Sequence, residues 1–398
     1  MKLLIVSKNL LDQRDAQSQQ TLALIMALQR DFDRVDIVTA RTTSEELLAL
    51  KRFVGSNVFV YDLPGKWISN GANFLDKIKR KIQRNMMAAS TTRWAKLAGS
   101  LSNELDARNN YSAIMTIGLP IESHMVGLLL KEKRKWIAHF SDPWPESLMP
   151  KPYSDYSIPI VSALQKRVVQ KTLSKAGHVS FTCTQSRDLF LDHYDFNVKE
   201  TSVVPHIAPS PVRPIRRKDD RFLITHAGSL SRERFSPDFF LAVSELSKES
   251  KIIVQFIGNV HKSAMDLVGE LGIQDRFVFL GQLDKEVALG HLRESDALLL
   301  IEAEMDRYPF LPSKLADYSA VGIPVYAITG KNSAVVEVIE RCGAGYASRH
   351  SKKDIIETLL KIEEGLFSRS HVGSMYDCFK SDNAKSAVKE IISRLSKL

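Results

Sequence analysis

The sequence is poor in the features that would place it outside the ordinary globular class. Three cysteines in 398 residues, Cys183, Cys342 and Cys378, lie far apart and show neither metal-ligand spacing nor a disulfide framework. A reducing cytoplasm is the expectation that follows. No apolar run approaches the roughly 20 residues that a membrane-spanning helix needs; the longest, such as MVGLLL at 125–130, suits a buried helix. The opening MKLLIVSKNLLDQRD is apolar for too short a stretch to be a secretory signal and reads as a buried first strand. No Asp-x-Asp pair stands where a metal site is credible: Asp31-Phe32-Asp33 falls between a first helix and a second strand, where charged turns are common. The expectation is no metal and no cofactor.

What is present is a 44% apolar chain long enough for two domains. Its formal charge of +9 is unevenly placed. Residues 1–200 hold 28 Lys and Arg against 20 Asp and Glu, while the remainder is close to balance. A lopsided field predicts that the first half faces something anionic.

Short apolar runs alternate with amphipathic stretches. LLIV (3–6), VDIVT (35–39), NVFVY (57–61), AIMTI (113–117), WIAHF (136–140) and HVSFTC (178–183) read as strands. Residues 201–221 break the rhythm with Pro205, Pro209, Pro211, Pro214 and a charge run, which marks a linker. The alternation restarts with RFLITHAG (221–228), KIIVQFIG (251–258), RFVFLG (276–281), DALLLI (296–301) and PVYAI (324–328). The reading is an α/β chain of two Rossmann-like domains facing a central cleft: 1–200, a linker at 201–221, and 222–383. An amphipathic helix over 384–398 either caps the second domain or crosses back onto the first. Gly228, Gly258 and Gly281 end three strands of the second half, where ligands of open α/β sheets bind; glycine there admits a ligand close to the backbone.

The most informative stretch is FLPSKLADYSAVGIPVYAI (310–328). A helix starting at Pro312-Ser313 offers free N–H groups and a dipole to an anion, with the Lys314 charge at the same end. Asp317, about one turn on, is spaced to hold ribose hydroxyls while Lys314 faces phosphate; the bland alternative is a cap on the helix start. The pattern Pro-Ser-Lys-x-x-Asp-Tyr-x-Ala-x-Gly-x-Pro-Val resembles the nucleotide-sugar site of retaining glycosyltransferases of the GT-B fold, family four (glycosyl transferases group one), of the bacterial polysaccharide-synthesis type. The resemblance implies a ribose role for Asp317. The family's second Glu, eight positions earlier, is Pro309 here, with Glu302 or Glu304 as substitutes. HAGSLSRERFSPDFF (226–240) resembles the family's diphosphate loop: Gly228 matches, Ser229 replaces an Arg, Arg234 replaces a Lys, and Arg232 supplies further charge. IGLPIESHMVGLLLKEKRKWIAHFSDPWPES (117–147) carries the Ser123-His124 and Asp142-Pro143-Trp144 of the polysaccharide members, but Ser141 stands where some have a His. Asp142 is then a candidate acceptor base, with His124 and His139 as alternatives. The Gly-Gly turn common after the first strand is missing, and Gln17, Ser18 and Gln20 are left to meet a sugar or phosphate.

Together these imply a retaining, hexosyltransferase-like, metal-independent enzyme. The catalytic candidates are Asp142, Lys314 and Arg234. Gly228, Ser229, Arg232, Gly258, Gly281, Pro312, Ser313 and Asp317 are candidates for the donor, and His124, His139 and Ser18 for the acceptor. The expected partners are a nucleotide-sugar donor and a glycan or lipid-linked acceptor. Residues 76–96 hold Lys77, Lys79, Arg80, Lys81, Arg84, Arg93 and Lys96 with no acidic residue after Asp76. Such a basic amphipathic helix suits an anionic membrane surface, on the inner face of the cytoplasmic membrane. Two alternatives compete: a nucleotide-sugar epimerase of related architecture, and a basic nucleic-acid-binding protein. The second lacks recognised modules and aromatic platforms, so no nucleic acid is expected.

Overall fold

A computed structural model describes residues 1–10, 16–40, 43–64, 92–156, 159–197, 200–365 and 372–397. The chain divides into two compact units. The first comprises 1–149, 154–207 and 381–398, the second 150–153 and 208–380.

The first unit is a seven-stranded parallel sheet in the order β3-β2-β1-β4-β5-β6-β7. Its strands are β1 (Lys2–Val6), β2 (Arg34–Ala40), β3 (Val58–Leu63), β4 (Ala113–Gly118), β5 (Trp136–Phe140), β6 (His178–Phe181) and β7 (Thr201–Val203). The helices are α1 (Ala16–Leu28), α2 (Ser44–Phe53), α3 (Arg93–Asn109), α4 (Glu122–Leu129), α5 (Pro159–Lys175) and α6 (Thr184–Leu191). Successive side chains of β1 alternate faces, so Leu4 and Val6 enter one core while Leu3 and Ile5 enter the other. Cover on both faces is why parallel strands read as unbroken apolar runs.

The second unit repeats the plan with six parallel strands in the order β10-β9-β8-β11-β12-β13. These are β8 (Phe222–Ala227), β9 (Ile252–Ile257), β10 (Phe277–Phe279), β11 (Ala297–Ile301), β12 (Val325–Ile328) and β13 (Gly345–Ser348). Its helices are α7 (Pro237–Ser244), α8 (Lys262–Glu270), α9 (Lys285–Arg293), α10 (Ser313–Val321), α11 (Ala334–Cys342), α12 (Lys352–Glu363) and α13 (Val372–Cys378). Winding reverses between β1 and β4 in one sheet and between β8 and β11 in the other. Such switch points open ligand crevices at the carboxyl ends of strands.

The segment read as a linker divides. Thr201–Val203 forms β7, in register with β6 from Val179↔Thr201 onward. Beyond Ile207 the chain lies along the second unit. There Val212 N–H donates to Ala320 O (2.8 Å) and Ile215 N–H to Arg293 O (2.7 Å). Those carbonyls belong to the last turns of α10 and α9, which have no partner within their own helices. Donors next to Pro211 and Pro214 thus satisfy two helix ends. The C-terminal helix α14 (Ser381–Leu395) sits in the first unit, where Ala384, Val388, Ile391, Ile392 and Leu395 join the core of Leu3 and Ile5. Lys385 and Lys389 approach Asp31 at 3.7 and 3.6 Å, and Asp33 pairs with the N-terminal amine. Both carboxylates of the Asp-x-Asp pair are thereby engaged.

Candidate nucleotide site

In the second unit the sequence-local motifs converge at the β8–β11 switch point. Gly228 and Gly258 follow β8 and β9 with φ of +99° and +116°, a region costly for residues with a side chain. Gly228 N–H donates to Ile257 O (2.7 Å), and Gly258 N–H donates to Gly281 O (2.6 Å). A Cβ at Gly258 would stand 2.7 Å from Gly228 O, and one at Gly228 only 3.1 Å from Lys314 Cε and Nζ. The glycines therefore make room for each other and for the lysine.

Lys314 rises from the first turn of α10. Pro312 caps that helix with no side-chain hydrogen bond, so the turn keeps its capacity for an anion. The half-buried Lys314 lies with Nζ 3.1 Å from His226 Nε2. His226, fully buried in β8, places Nδ1 3.1 Å from Leu299 O. A carbonyl only accepts, so Nδ1 carries the proton and Nε2 turns its lone pair to the lysine. Burial first, then Lys314, hold His226 neutral, well below its ordinary pKa. Burial also draws Lys314 down to about 7, with Arg234 adding to the fall and Asp317 opposing it.

Asp317 sits one turn along α10, half-buried. Burial raises its pKa, while Lys285 and Lys314 pull the other way. It accepts no hydrogen bond from the described residues, so it does not cap its own helix. Tyr318 beside it is fully buried. Its hydroxyl donates to Leu299 O (3.0 Å) and accepts from Ala227 N–H (2.9 Å), pinning α10 to the end of β8 and the middle of β11. Arg234 closes the short 3-10 turn Arg232–Arg234, with Nε 3.4 Å from Tyr153 Oη. Its charge is felt at Lys314, His226 and Glu302. Ser229, Gly281 and Arg232 are exposed around this cluster, and Pro312 and Ser313 half-buried at its edge.

Of the two carboxylates weighed against Pro309, Glu302 is buried and accepts from Thr329 Oγ1 and Ser333 Oγ, both at 2.5 Å. Ser333 in turn caps α11. Glu302 thus braces the framework. Glu304 is exposed and lines a recess of about 320 Å³ with Glu233, Asp238 and His350.

The candidates of the first unit have different surroundings. Asp142 is half-buried two residues beyond β5, where Ser141 Oγ donates to Gly118 O (2.9 Å). His139 Nδ1 meets Ser180 Oγ at 3.0 Å; burial, then His206, lowers it to about 3. His124 Nδ1 meets Thr116 Oγ1 at 2.8 Å, and its ring lies 4.4 Å from that of Phe140. Burial, then His139, brings it to about 3 as well. Its Nε2 has no partner among the described residues. Ser18 is buried and donates to Asn9 O at 2.5 Å. Where the resembling family turns on glycines, this chain buries Lys8, whose Nζ pairs with Glu122 Oε1 at 2.7 Å. Its backbone N–H donates to Ser123 Oγ (3.1 Å), so Lys8 holds the start of α4.

No family profile matches the sequence, and no curated protein matches it. Solved structures do. The Anabaena protein HepE in complex with UDP is 12% identical, superposes with a TM-score of 0.68, and is matched over 99% of this chain and 100% of its own. The lipopolysaccharide outer core galactosyltransferase WaaB, in its apo form, gives 0.65 at 12% identity, with each chain fully covered. A Listeria monocytogenes structure named for UDP-N-acetylglucosamine 2-epimerase gives 0.57 at 12% identity, over 100% of this chain and 97% of its own. The fold is GT-B.

Within the second GT-B unit the structure brings together Gly228, Gly258, Lys314 and Asp317, with Arg234 in electrostatic range. His226 and Tyr318 complete the group, and sequence reasoning gave neither a role. Their signal is a histidine two residues before the strand-end glycine and a tyrosine directly after the acidic residue. Asp142, His124, His139 and Ser18 all belong to the first GT-B unit. Of the basic segment 76–96, residues 76–91 lie outside the described residues; Arg93 and Lys96 stand in the first turn of α3. Among the described residues no helix is long and apolar enough to cross a membrane, and no three His, Cys, Asp or Glu group as metal ligands.

Proposed function

We propose that this chain is a glycosyltransferase that takes a sugar from a nucleotide diphosphate carrier and places it on a glycan or lipid-linked acceptor. The observation that carries the reading is α10, whose first turn has no side-chain cap and bears Lys314 toward Gly228, with Asp317 one turn along and without a hydrogen bond among the described residues. Asp317 accepts from the ribose hydroxyls. Lys314, Arg234 and the first amides of α10 oppose the negative charge that grows on the departing diphosphate, as preorganised electrostatic catalysis without a metal. Asp142 orients or deprotonates the acceptor hydroxyl. Retention of anomeric configuration rests on the family resemblance, and the GT-B neighbour solved with UDP supports a nucleotide donor.

The reading is tested by titrating nucleotide diphosphate sugars onto the purified protein and analysing products with and without acceptor. Donor binding followed by acceptor-dependent transfer is expected. Sugar interconversion without acceptor would establish the epimerase alternative, and RNA binding with no affinity for any nucleotide sugar the nucleic-acid one.

The basic stretch 76–96 supports peripheral attachment to the cytoplasmic face of a membrane. Each basic residue near an anionic surface contributes on the order of 1 kcal/mol, screened by salt. Replacing Lys77, Lys79, Arg80, Lys81 and Arg84 by Gln is expected to abolish co-sedimentation with anionic vesicles and spare nucleotide binding. Equal sedimentation of that variant would reduce the segment to a solvated face.

A further inference from the structure

Two cysteines that look unrelated in the sequence meet in the second unit. Cys342 ends α11 and Cys378 ends α13, and their Sγ atoms are 3.0 Å apart although 36 residues separate them. Neither is joined in a disulfide. The pair is asymmetric. Cys342 is buried, and burial followed by the Cys378 thiol pushes it up to about 11. Cys378 is half-buried, with Arg341 Nη2 donating to its sulfur at 3.4 Å. Cys378 is thus the more reachable of the two thiols, and a disulfide bond of about 2.05 Å asks the two sulfurs to close by only about 1 Å.

We propose that Cys342 and Cys378 form a reversible thiol–disulfide site. The oxidant is a low-molecular-weight disulfide, RSSR. Cys378 thiolate attacks one of its sulfurs, forming a mixed disulfide and releasing RS⁻, which takes up the proton given by Cys378. Cys342 then loses its proton and attacks the Cys378 sulfur. The internal disulfide forms, and the second RS⁻ leaves and takes up that proton. Two electrons pass from the cysteine pair to RSSR, which ends as two RSH. The site is independent of the proposed glycosyl transfer.

Its position gives the oxidation a structural consequence. Phe379 O, next to Cys378, accepts from Ala208 N–H at 2.9 Å. Ala208 opens the long second-unit stretch 208–380 and Lys380 ends it. A Cys342–Cys378 bond therefore ties the segment around Phe379, to which Ala208 bonds, to α11.

The test uses the full chain and oxidised glutathione as the oxidant, followed by acid quenching, alkylation and non-reducing peptide mass mapping. The expected result is a linked Cys342–Cys378 peptide that dithiothreitol reverses, with Cys183, buried in the other unit, still alkylated. The oxidised protein should also melt several degrees higher than the reduced one, a shift absent from Cys378→Ser. A glutathione adduct that persists on Cys378 beside an alkylated Cys342, or no reaction at either thiol, would overturn the proposal.

Discussion

The two units share one winding but treat their polar side chains differently at the carboxyl ends of their strands. In the first, the candidates His124 and His139 are buried and neutral, Ser18 is spent on a backbone carbonyl, and Lys8 is closed in an ion pair with Glu122. In the second, Lys314 and Asp317 are held short of full satisfaction. Among the described residues, one has only a neutral imidazole within hydrogen-bonding distance, and the other has no hydrogen bond. A buried group whose bonds are complete stabilises the framework. One left short retains binding capacity. In the first unit the neutral His124 Nε2 is also without a partner among the described residues, but the second unit leaves an amine and a carboxyl short together, which makes it the place to expect an anionic, hydroxyl-bearing ligand.

The largest effect that can break this comparison is in the first unit. Lys8→Met leaves Glu122 as an uncompensated buried charge and should cost about 3–5 kcal/mol of stability. Chemical denaturation checks this; a variant as stable as the parent would show the pair to be dispensable. Lys314→Met should do the reverse, sparing stability while lowering turnover by about 10²–10³-fold, the scale for losing one preorganised electrostatic contact. Turnover retained in a folded Lys314→Met protein would remove the leaving-group role.

A smaller effect follows from the lowered Lys314 pKa. Because the folded protein holds this proton less tightly than the unfolded chain, the group's contribution to stability rises with pH between about 7 and the ordinary lysine value of 10.5. Below about 7 the lysine is charged in both states and the cost of burying it is fully present. A bound diphosphate favours the charged form, so nucleotide affinity should fall above pH 7, by at most about tenfold per unit. Lys314→Arg should flatten that profile. An unchanged pH dependence in this variant would assign it to another group.

Much of the fold was legible because parallel strands covered on both faces must be apolar without interruption. The strands the sequence did not announce, Thr201–Val203 and Gly345–Ser348, are short and polar and stand at the ends of their sheets. The Lys314–Asp317 spacing was legible because a helix turn is local. The His226–Lys314 contact spans 88 residues and the Lys8–Glu122 pair 114, so only the assembled sheets reveal them. The same holds for the Cys342–Cys378 pair, whose sequence spacing says nothing about two helix ends lying side by side.

The central claim, that Asp317 in the second unit holds the nucleotide's ribose, is tested most directly by calorimetric titration of a panel of nucleoside diphosphates into the parent and Asp317→Ala at matched folding. The account predicts binding by the parent and a loss of about 1–3 kcal/mol in the variant, the range for polar groups left without a partner. Equal affinity in the two folded proteins would contradict it.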